Sequence, residues 1–318
     1  YSQYLKVDYK WNDLVVGVGE RLTYVWLHEL EDTTGEMFEY KNFNAAFSGF
    51  AQYNLTNDYS VAFNISQGLR NPNLSDLAGN VESSTGFEIG NKDLKPEESL
   101  MYEIVQKYKA HGLNLILSAY YVDLTNFISK EKLATNDIPE DFKDKGTVYK
   151  KQNLNKSHIY GGEFGLEYKY KSQFDVKGSV YYTYGEEDYT DAEWKAKKDK
   201  WNASNPTKTV DTPYMSKIPP LSGFLKLTGH YNDNVDFIYK MTYAMEQDNL
   251  SISDLGDVRI PDGGTPAFLI HSIGVSFLFE KVQIHTFLNN ISDEKYKYHA
   301  SGVWGAGRSL NFKLSYQF

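Results

Sequence analysis

The last nine residues of the chain, 310–318, alternate apolar and polar side chains without interruption. In a strand, Leu310, Phe312, Leu314, Tyr316 and Phe318 share one face, and the polar residues between them share the other. A soluble β-sandwich rarely ends in this way, because an apolar terminus and an unpaired strand edge would face water. A transmembrane β-barrel removes both objections, since closure pairs the edge and lipid accepts the aromatic face.

The same period-two pattern recurs along the chain and predicts about thirteen antiparallel strands. The predicted connections alternate in length. Short turns are expected near 12–13, 56–58, 111–112, 171–172, 232–234 and 280–281, and long polar loops near 28–41, 71–96, 129–146, 185–217, 246–266 and 292–307. Outer-membrane barrels have this asymmetry, whereas a Greek-key sandwich mixes its connection lengths at both ends. The sequence therefore predicts an all-β, antiparallel transmembrane β-barrel.

The mean hydropathy of -0.53 does not contradict a barrel. Only every second residue of a barrel strand faces lipid, and polar loops dilute the average further. No run approaches the roughly 18 to 20 apolar residues that a transmembrane helix requires. The chain is rich in Tyr (26) and Phe (18), and many of these residues lie toward predicted strand ends, which favours aromatic girdles at a membrane interface.

Composition and motifs argue against several function classes. The chain has no Cys, so it offers neither a disulfide scaffold nor a Cys metal site. Its net charge of -9, without a basic stripe, argues against nucleic acid as a partner. No catalytic motif lies on a plausible scaffold, so we expect neither an enzyme nor a cofactor. His28 and His299 are weak metal candidates without ligand spacing. The other five histidines are expected on the polar face of strands or in short turns: His111, His158, His230, His271 and His285.

Four sequence boxes carry a family resemblance. Residues 68–77 read GLRNPNLSDL, 91–97 read NKDLKPE, 159–163 read IYGGE, and 288–296 with 305–308 read LNNISDEKY and GAGR. In this order on a barrel pattern, they resemble the boxes of TonB-dependent outer-membrane receptors. The positions that match are Arg70, Pro72, Leu94, Pro96, Glu163, Gly307, Arg308 and Phe318. The boxes also have a structural interpretation, because Pro, Gly and Asn set loop entry and cap freed backbone groups.

The resemblance implies a location, a domain organisation and partners. Residues 1–318 would be the C-terminal portion of a barrel of about 22 strands closed by an N-terminal plug. The plug and the early strands are expected to lie outside this sequence. The receptor would lie in the outer membrane of a Gram-negative bacterium, in contact with outer-membrane lipid. A TonB complex would act on it through the plug.

The cargo implied by the resemblance is a scarce extracellular ligand, most simply a ferric siderophore or another iron complex. Haem, cobalamin or another metal complex remains an alternative, and so does a passive porin. Several haem receptors of this family place a His in the loop between the first two boxes. The loop between Pro72 and Pro96 has no His, which disfavours haem. A soluble all-β adhesin or lectin is a further rival.

The loop 185–217 holds the candidate ligand-binding residues, which combine aromatic rings with a cation: Tyr189, Trp194, Lys198, Trp201 and Tyr214. Such a set could receive an anionic, ring-bearing siderophore through charge and stacking. The alternative is a short surface helix over 191–201 with solvated charges.

Overall fold

The protein is described from a computed structural model, which places residues 1–32, 35–83, 86–153 and 156–317. The strands, in chain order, are β1 (Ser2–Trp11), β2 (Leu14–Glu31), β3 (Met37–Asn54), β4 (Tyr59–Arg70), β5 (Asn80–Ser83), β6 (Gly86–Ile89), β7 (Glu97–Ala110), β8 (Leu113–Thr125), β9 (Ile128–Lys132), β10 (Val148–Asn153), β11 (Lys156–Tyr170), β12 (Phe174–Asp188), β13 (Ser222–Asn232), β14 (Val235–Ala244), β15 (Phe268–Phe279), β16 (Val282–Asn289) and β17 (Ser309–Tyr316). The helices are α1 (Leu74–Leu77), α2 (Asp191–Ser204) and α3 (Ile252–Leu255), with short 3-10 turns at Thr135–Asp137 and Glu140–Lys145.

Thirteen strands form one antiparallel sheet in the order β1-β2-β3-β4-β7-β8-β11-β12-β13-β14-β15-β16-β17. The prediction of an all-β antiparallel architecture with about thirteen strands is therefore confirmed. Each sheet neighbour is the next long strand along the chain, which is the meander that barrels require. Phe318 lies outside the described residues.

Connection length separates the two ends of the sheet. Four of the tight turns open with a residue in the left-handed region, at φ 51° for Asn12, 50° for His111, 51° for Lys171 and 49° for Glu280. This conformation matches the twist of the flanking strands. It closes the hairpin in two residues at Asn12, His111 and Glu280, and in three residues at Lys171. All the long connections lie at the opposite end of the sheet, as predicted.

Strand register gives the sheet one apolar and one polar face. Leu314 pairs with Ile284, and Phe312 pairs with Thr286 on the same face. The apolar face is open to its surroundings, with Leu310 71% and Phe312 66% exposed. The polar face carries cross-strand pairs such as the Asn64 amide donating to Glu103 over 2.8 Å. In water, such an apolar face would be strongly unfavourable, whereas lipid accepts it.

Two histidines depart from the predicted face. His271 pairs in register with Met241 on the apolar face, and its Nδ1 lies 2.7 Å from the Tyr239 hydroxyl. His158 lies on the same face as Tyr160 and stacks against its ring at 6.5 Å. The prediction was wrong for both because their neighbours on the apolar face are tyrosines, which supply a hydroxyl or a ring surface to an imidazole.

The strands continue beyond the predicted boundaries at the long-connection end. A loop was expected over 28–41, but β2 reaches Glu31 and β3 starts at Met37. The register shifts between Leu27 and Leu30, where Glu29 has a φ of 56°. The sequence did not predict this extension because its residues are polar on both faces and show no apolar alternation. A strand that lies in water does not need an apolar face.

A second, four-stranded sheet was not predicted from the sequence. It has the order β5-β6-β10-β9 and joins segments of two long connections. Phe87, Ile89 and Val148 form its buried core. Its strands are short and lack a clear alternation, so they resembled loops. Among the residues described, no helix is long and apolar enough to cross a membrane.

Candidate functional site

The connections at the long-connection end of the sheet pack into two groups, and the described residues of the first group are 32, 35–36, 71–83, 86–96 and 126–153. The Lys92 ammonium lies 3.1 Å from Asp32 and 2.9 Å from Glu36, which ties the β2–β3 connection to the next one. The Asn91 amide donates to the Lys151 carbonyl over 3.0 Å. The second sheet then joins the two longer connections, so this group is a folded unit and not a set of free loops.

Arg70, Pro72 and Leu94 hold the base of this first group. The Arg70 guanidinium donates to Asp76 over 2.8 Å and to Glu97 through two of its nitrogens. Pro72 is fully buried, and Leu94 packs with Leu77 in an apolar cluster. Pro96 directly precedes β7, where it ends the connection. These contacts agree with the structural interpretation of the motif residues.

The second group comprises residues 189–221, 245–267 and 290–308. The Asp254 carboxylate accepts a 2.7 Å hydrogen bond from the Ser216 hydroxyl. Lys208 lies 2.5 Å from Asp262. The Lys297 ammonium donates to the Arg259 carbonyl over 2.5 Å. Each bond joins two different connections, so the three are fixed to one another.

One local motif occurs once in each group. Residues 73–77 read NLSDL and 251–255 read SISDL, and each forms a single helical turn closed by a capping box. The third residue of each turn, Asp76 or Asp254, is buried at 6% or 1% exposure. Each aspartate caps its own turn and also accepts from a neighbouring segment, Arg70 or Ser216. The motif therefore fixes each connection by a buried carboxylate.

The segment before β17 is held by side-chain to backbone bonds. Asn290, which is 2% exposed, donates to the carbonyls of Glu294 and Ala306. The backbone N–H of Arg308 donates to Asp293 over 2.7 Å, and the Arg308 Nε donates to the Ile291 carbonyl over 2.9 Å. At Gly307 a Cβ would lie 2.8 Å from the Asp293 carboxylate. Gly307 and Arg308 thus shape the re-entry to β17.

Residues 191–204 form α2, as the helical spacing predicted, and Thr190 caps it with Glu193. The Trp194 indole donates to the Asp211 carbonyl over 3.0 Å. The Trp201 indole donates to the Lys208 carbonyl over 2.7 Å. Lys198 lies 3.4 Å from the Asp211 carboxylate. Three of the five candidates therefore fasten α2 to the segment that follows it.

Tyr189, just before α2, contacts the helix through its ring. Its ring stacks on Trp194 at 5.8 Å, and the Lys197 ammonium lies over the ring, 4.6 Å from its centroid. Its hydroxyl donates to Glu187. Burial, followed by the Glu187 carboxylate, raises the pKa of Tyr189 above its ordinary value, so the hydroxyl stays protonated and can donate.

Tyr214 lies on another surface from Tyr189. Its ring meets Tyr184 edge to face at 5.9 Å, and its backbone forms a bridge to Glu186. The structure thus brings Tyr189, Trp194 and Lys198 together around α2, with Trp201 further along the helix. It does not add Tyr214 to this set.

An open cavity of about 650 Å³ lies where the first group meets the start of the second. It is lined by charged and hydroxyl or amide groups: Lys95, Asn126, Asn153, Lys156, Asp188, Tyr189, Thr190 and Glu193. Asn153 is fixed by donating to the carbonyls of Lys95 and Asn126. Two ammonium groups, two carboxylates and a phenol suit a polar ligand that carries both donors and acceptors.

Tyr189 is the only one of the five predicted candidates that lines this cavity. Lys95, Lys156, Asn126 and Asn153 were not singled out from the sequence. Lys95 lies inside the NKDLKPE box, so that box gave a signal that was assigned to structure alone. The sequence around Lys156 and Asn153 gave no such signal. Their place in the cavity depends on how two connections that are distant in the chain pack together.

The histidine candidates lie in different settings. The His28 ring packs on Trp26 at 5.3 Å near the end of β2. His299 Nδ1 lies 2.9 Å from the Thr265 hydroxyl. Burial lowers the pKa of His299. In the described part of the chain no group of three or more His, Cys, Asp or Glu side chains has metal-binding geometry.

Glu163 lies on the polar face of β11, opposite Ser118 and Tyr181.

Comparison with known proteins gives one family and several solved structures of similar fold. A family model described as "TonB dependent receptor-like, beta-barrel" matches residues 1–291. No curated protein matches the sequence. The copper transporter OprC aligns with all of this chain at a TM-score of 0.77 and 15% identity. The FrpB iron transporter of Neisseria meningitidis (F5-1 variant) aligns over all of it at 0.72 and 14%, and the siderophore receptor PirA of Pseudomonas aeruginosa at 0.66 and 13%.

These alignments show a shared fold. The chain spans about half the length of these solved structures, covering 48% of OprC, 45% of FrpB and 48% of PirA. The thirteen-stranded sheet, the tight turns at one end and the folded connections at the other therefore correspond to part of a larger barrel in each.

Proposed function

Since the chain belongs to the TonB-dependent receptor family of β-barrels, we propose that it forms the C-terminal portion of an outer-membrane receptor that imports a scarce extracellular ligand. The whole receptor would lie in the outer membrane of a Gram-negative bacterium. A TonB complex would drive it through a plug domain. Its apolar sheet face would contact lipid, and its long connections would face the outside.

The ligand that we propose is a ferric siderophore or a similar iron complex. The observation that carries this proposal is the 650 Å³ polar cavity between the two groups of connections. Its ammonium groups, Lys95 and Lys156, can pair with the carboxylate or catecholate oxygens of a chelate. Tyr189 adds a ring edge for an edge-to-face contact with an aromatic group of the ligand.

The solved structures of the same fold support this ligand class without deciding it. FrpB is an iron transporter and PirA a siderophore receptor, whereas OprC is a copper transporter. A metal complex other than iron is therefore the second candidate. The family match favours a receptor over a passive porin, and so do the bonds that tie the connections within each group to one another.

The test is uptake by cells that lack the gene and carry it back on a plasmid. We expect restored accumulation of radioactive iron from at least one ferric siderophore, with accumulation lost when TonB is deleted. Copper uptake is measured in the same strains. Copper accumulation without iron accumulation would replace the iron proposal, and TonB-independent accumulation would favour the porin.

A further inference from the structure

A second, smaller cavity of about 210 Å³ lies beside the end of β12, at the base of the second group of connections. We call it the wall pocket. Its main lining side chains are apolar or aromatic: Tyr182, Tyr184, Tyr214, Ile218, Leu221 and Met245. It lies between the C-terminal part of β12 and the segment that follows β14, beside the residues that directly precede β13.

The wall pocket opens on the apolar face of the sheet. Tyr182 and Tyr184 alternate along β12 with Val180, which pairs with Phe164 on that face. Leu221 and Gly223 share the same alternation, and Gly223 pairs with Tyr243. Met245 lies two residues beyond Tyr243 and is 56% exposed. The pocket is therefore continuous with the surface that lipid covers.

Strand length places the pocket at the outer edge of the hydrocarbon layer. A transmembrane strand needs about 9–11 residues to cross. Tyr184 is about the eleventh residue of β12 counted from the tight turn, and Met245 follows the ten-residue β14. Leu221 precedes the eleven-residue β13. With the long connections facing outward, as proposed above, all three residues would lie where the acyl chains of the outer leaflet meet their polar heads.

The floor of the pocket is fixed by the second group of connections. The Gln247 amide donates to the Ile218 carbonyl over 2.7 Å. Gly185 allows this close packing, since a Cβ there would lie 2.9 Å from the Ile218 Cδ1. On the water side, Glu246 and Asn249 form a polar rim. An apolar recess with a polar rim suits an amphipathic molecule that enters from the membrane.

We propose that the wall pocket binds an acyl chain of an outer-leaflet membrane lipid. The proposal rests on the membrane location given under the proposed function, and it adds a lipid site distinct from the polar cavity. A bound chain would fill the gap above β13 and support the Tyr214–Ile218 segment. The lipid would thereby stabilise the second group of connections from the membrane side.

The test uses the full-length receptor in nanodiscs that contain lipid A with a photoreactive acyl chain, because lipid A supplies the acyl chains of the outer leaflet of a Gram-negative outer membrane. Cross-linked peptides are mapped by mass spectrometry. We expect labelling of the wall pocket to exceed labelling around Leu269, which lies on the same face and pairs with Tyr243 but does not line the pocket. Met245→Gln should lower pocket labelling about fourfold, the effect of losing roughly one methylene from apolar contact.

Leu269→Gln is the matched control and should leave pocket labelling unchanged. Heat-dependent gel mobility verifies that both variants are folded barrels. Equal labelling of the pocket and the Leu269 region would overturn the proposal. Uniform labelling with intact iron uptake contradicts only the lipid site. Enriched labelling without iron uptake contradicts only the transport proposal.

Discussion

The Arg70 guanidinium donates a 2.8 Å hydrogen bond to the Asp76 carboxylate across the turn at Pro72. Asp76 is buried, and its carboxylate also caps α1 by accepting from the Asn73 backbone N–H. The same guanidinium reaches Glu97 at the start of β7, and Glu97 accepts from the Ile128 backbone N–H over 2.8 Å. Arg70 thus joins the end of β4 to the connection that follows it. Through Glu97, it also reaches the backbone of Ile128 at the start of β9.

Replacing Arg70 should loosen the first group of connections. Arg70→Gln leaves the buried Asp76 carboxylate without its cation, and we expect a loss of about 2–3 kcal/mol of local stability. The measurement is the rate of protease cleavage within 71–96 on intact cells. Lys92→Gln is the control, because its partners Asp32 and Glu36 lie in a short connection and it should have a smaller effect. Equal cleavage of both variants would contradict the anchoring role of Arg70.

The polar cavity should contribute to ligand affinity through its cations. Lys156→Ala removes one ammonium group, and we expect about tenfold weaker binding of the transported iron complex. The measurement is binding to whole cells without TonB, so that transport does not interfere. Lys195→Ala is the control, because Lys195 lies on α2 and pairs only with Asp199 among the ion pairs described. Equal affinity of the two variants would remove this cavity from the ligand path.

The tryptophans of α2 should act on stability and not on ligand binding. Trp201→Phe removes the donor to the Lys208 carbonyl, with an expected cost of about 1 kcal/mol to the α2 connection. Faster proteolysis within 205–214 at unchanged iron-complex affinity is the predicted outcome. Weaker binding at an unchanged proteolysis rate would instead support Trp201 as a ligand contact.

The sequence predicted the thirteen strands because each carries an apolar face, as Leu310 and Phe312 do on β17. It also predicted α2, since charges and rings recur there at helical spacing. It could not predict the second sheet, whose partners β6 and β10 lie far apart in the chain. The polar cavity was missed for the same reason, because Lys95 and Lys156 meet Tyr189 only after three connections fold.

The docking of the last two connections should depend on pH through His299. Burial lowers the pKa of His299 below its ordinary 6.5, while Asp254 and Asp257 partly oppose this effect. The unfolded segment therefore takes up a proton first as pH falls. The stability that the neutral ring contributes is complete above about pH 6.5 and declines below it.

Hydrogen exchange of residues 296–301 at about pH 7.5 and about pH 5 tests this dependence. After correction for the slower intrinsic amide exchange at the lower pH, we expect less protection of this segment at about pH 5 than at about pH 7.5 in the unsubstituted protein, and a smaller change in His299→Gln. A glutamine keeps a polar group near Thr265 and does not titrate in this range. An identical pH response in the two proteins would exclude His299 as the cause.

The central claim is that the long connections face outward and the tight turns face the periplasm. The chain has no Cys, so single cysteines can report this orientation directly. Ala203→Cys places a thiol at an exposed position of α2, and Asn57→Cys places one in the exposed β3–β4 turn. We predict that a membrane-impermeant maleimide labels the first and not the second in intact cells, and both after permeabilisation. Labelling of Asn57→Cys but not Ala203→Cys in intact cells, or of both equally, would contradict the account.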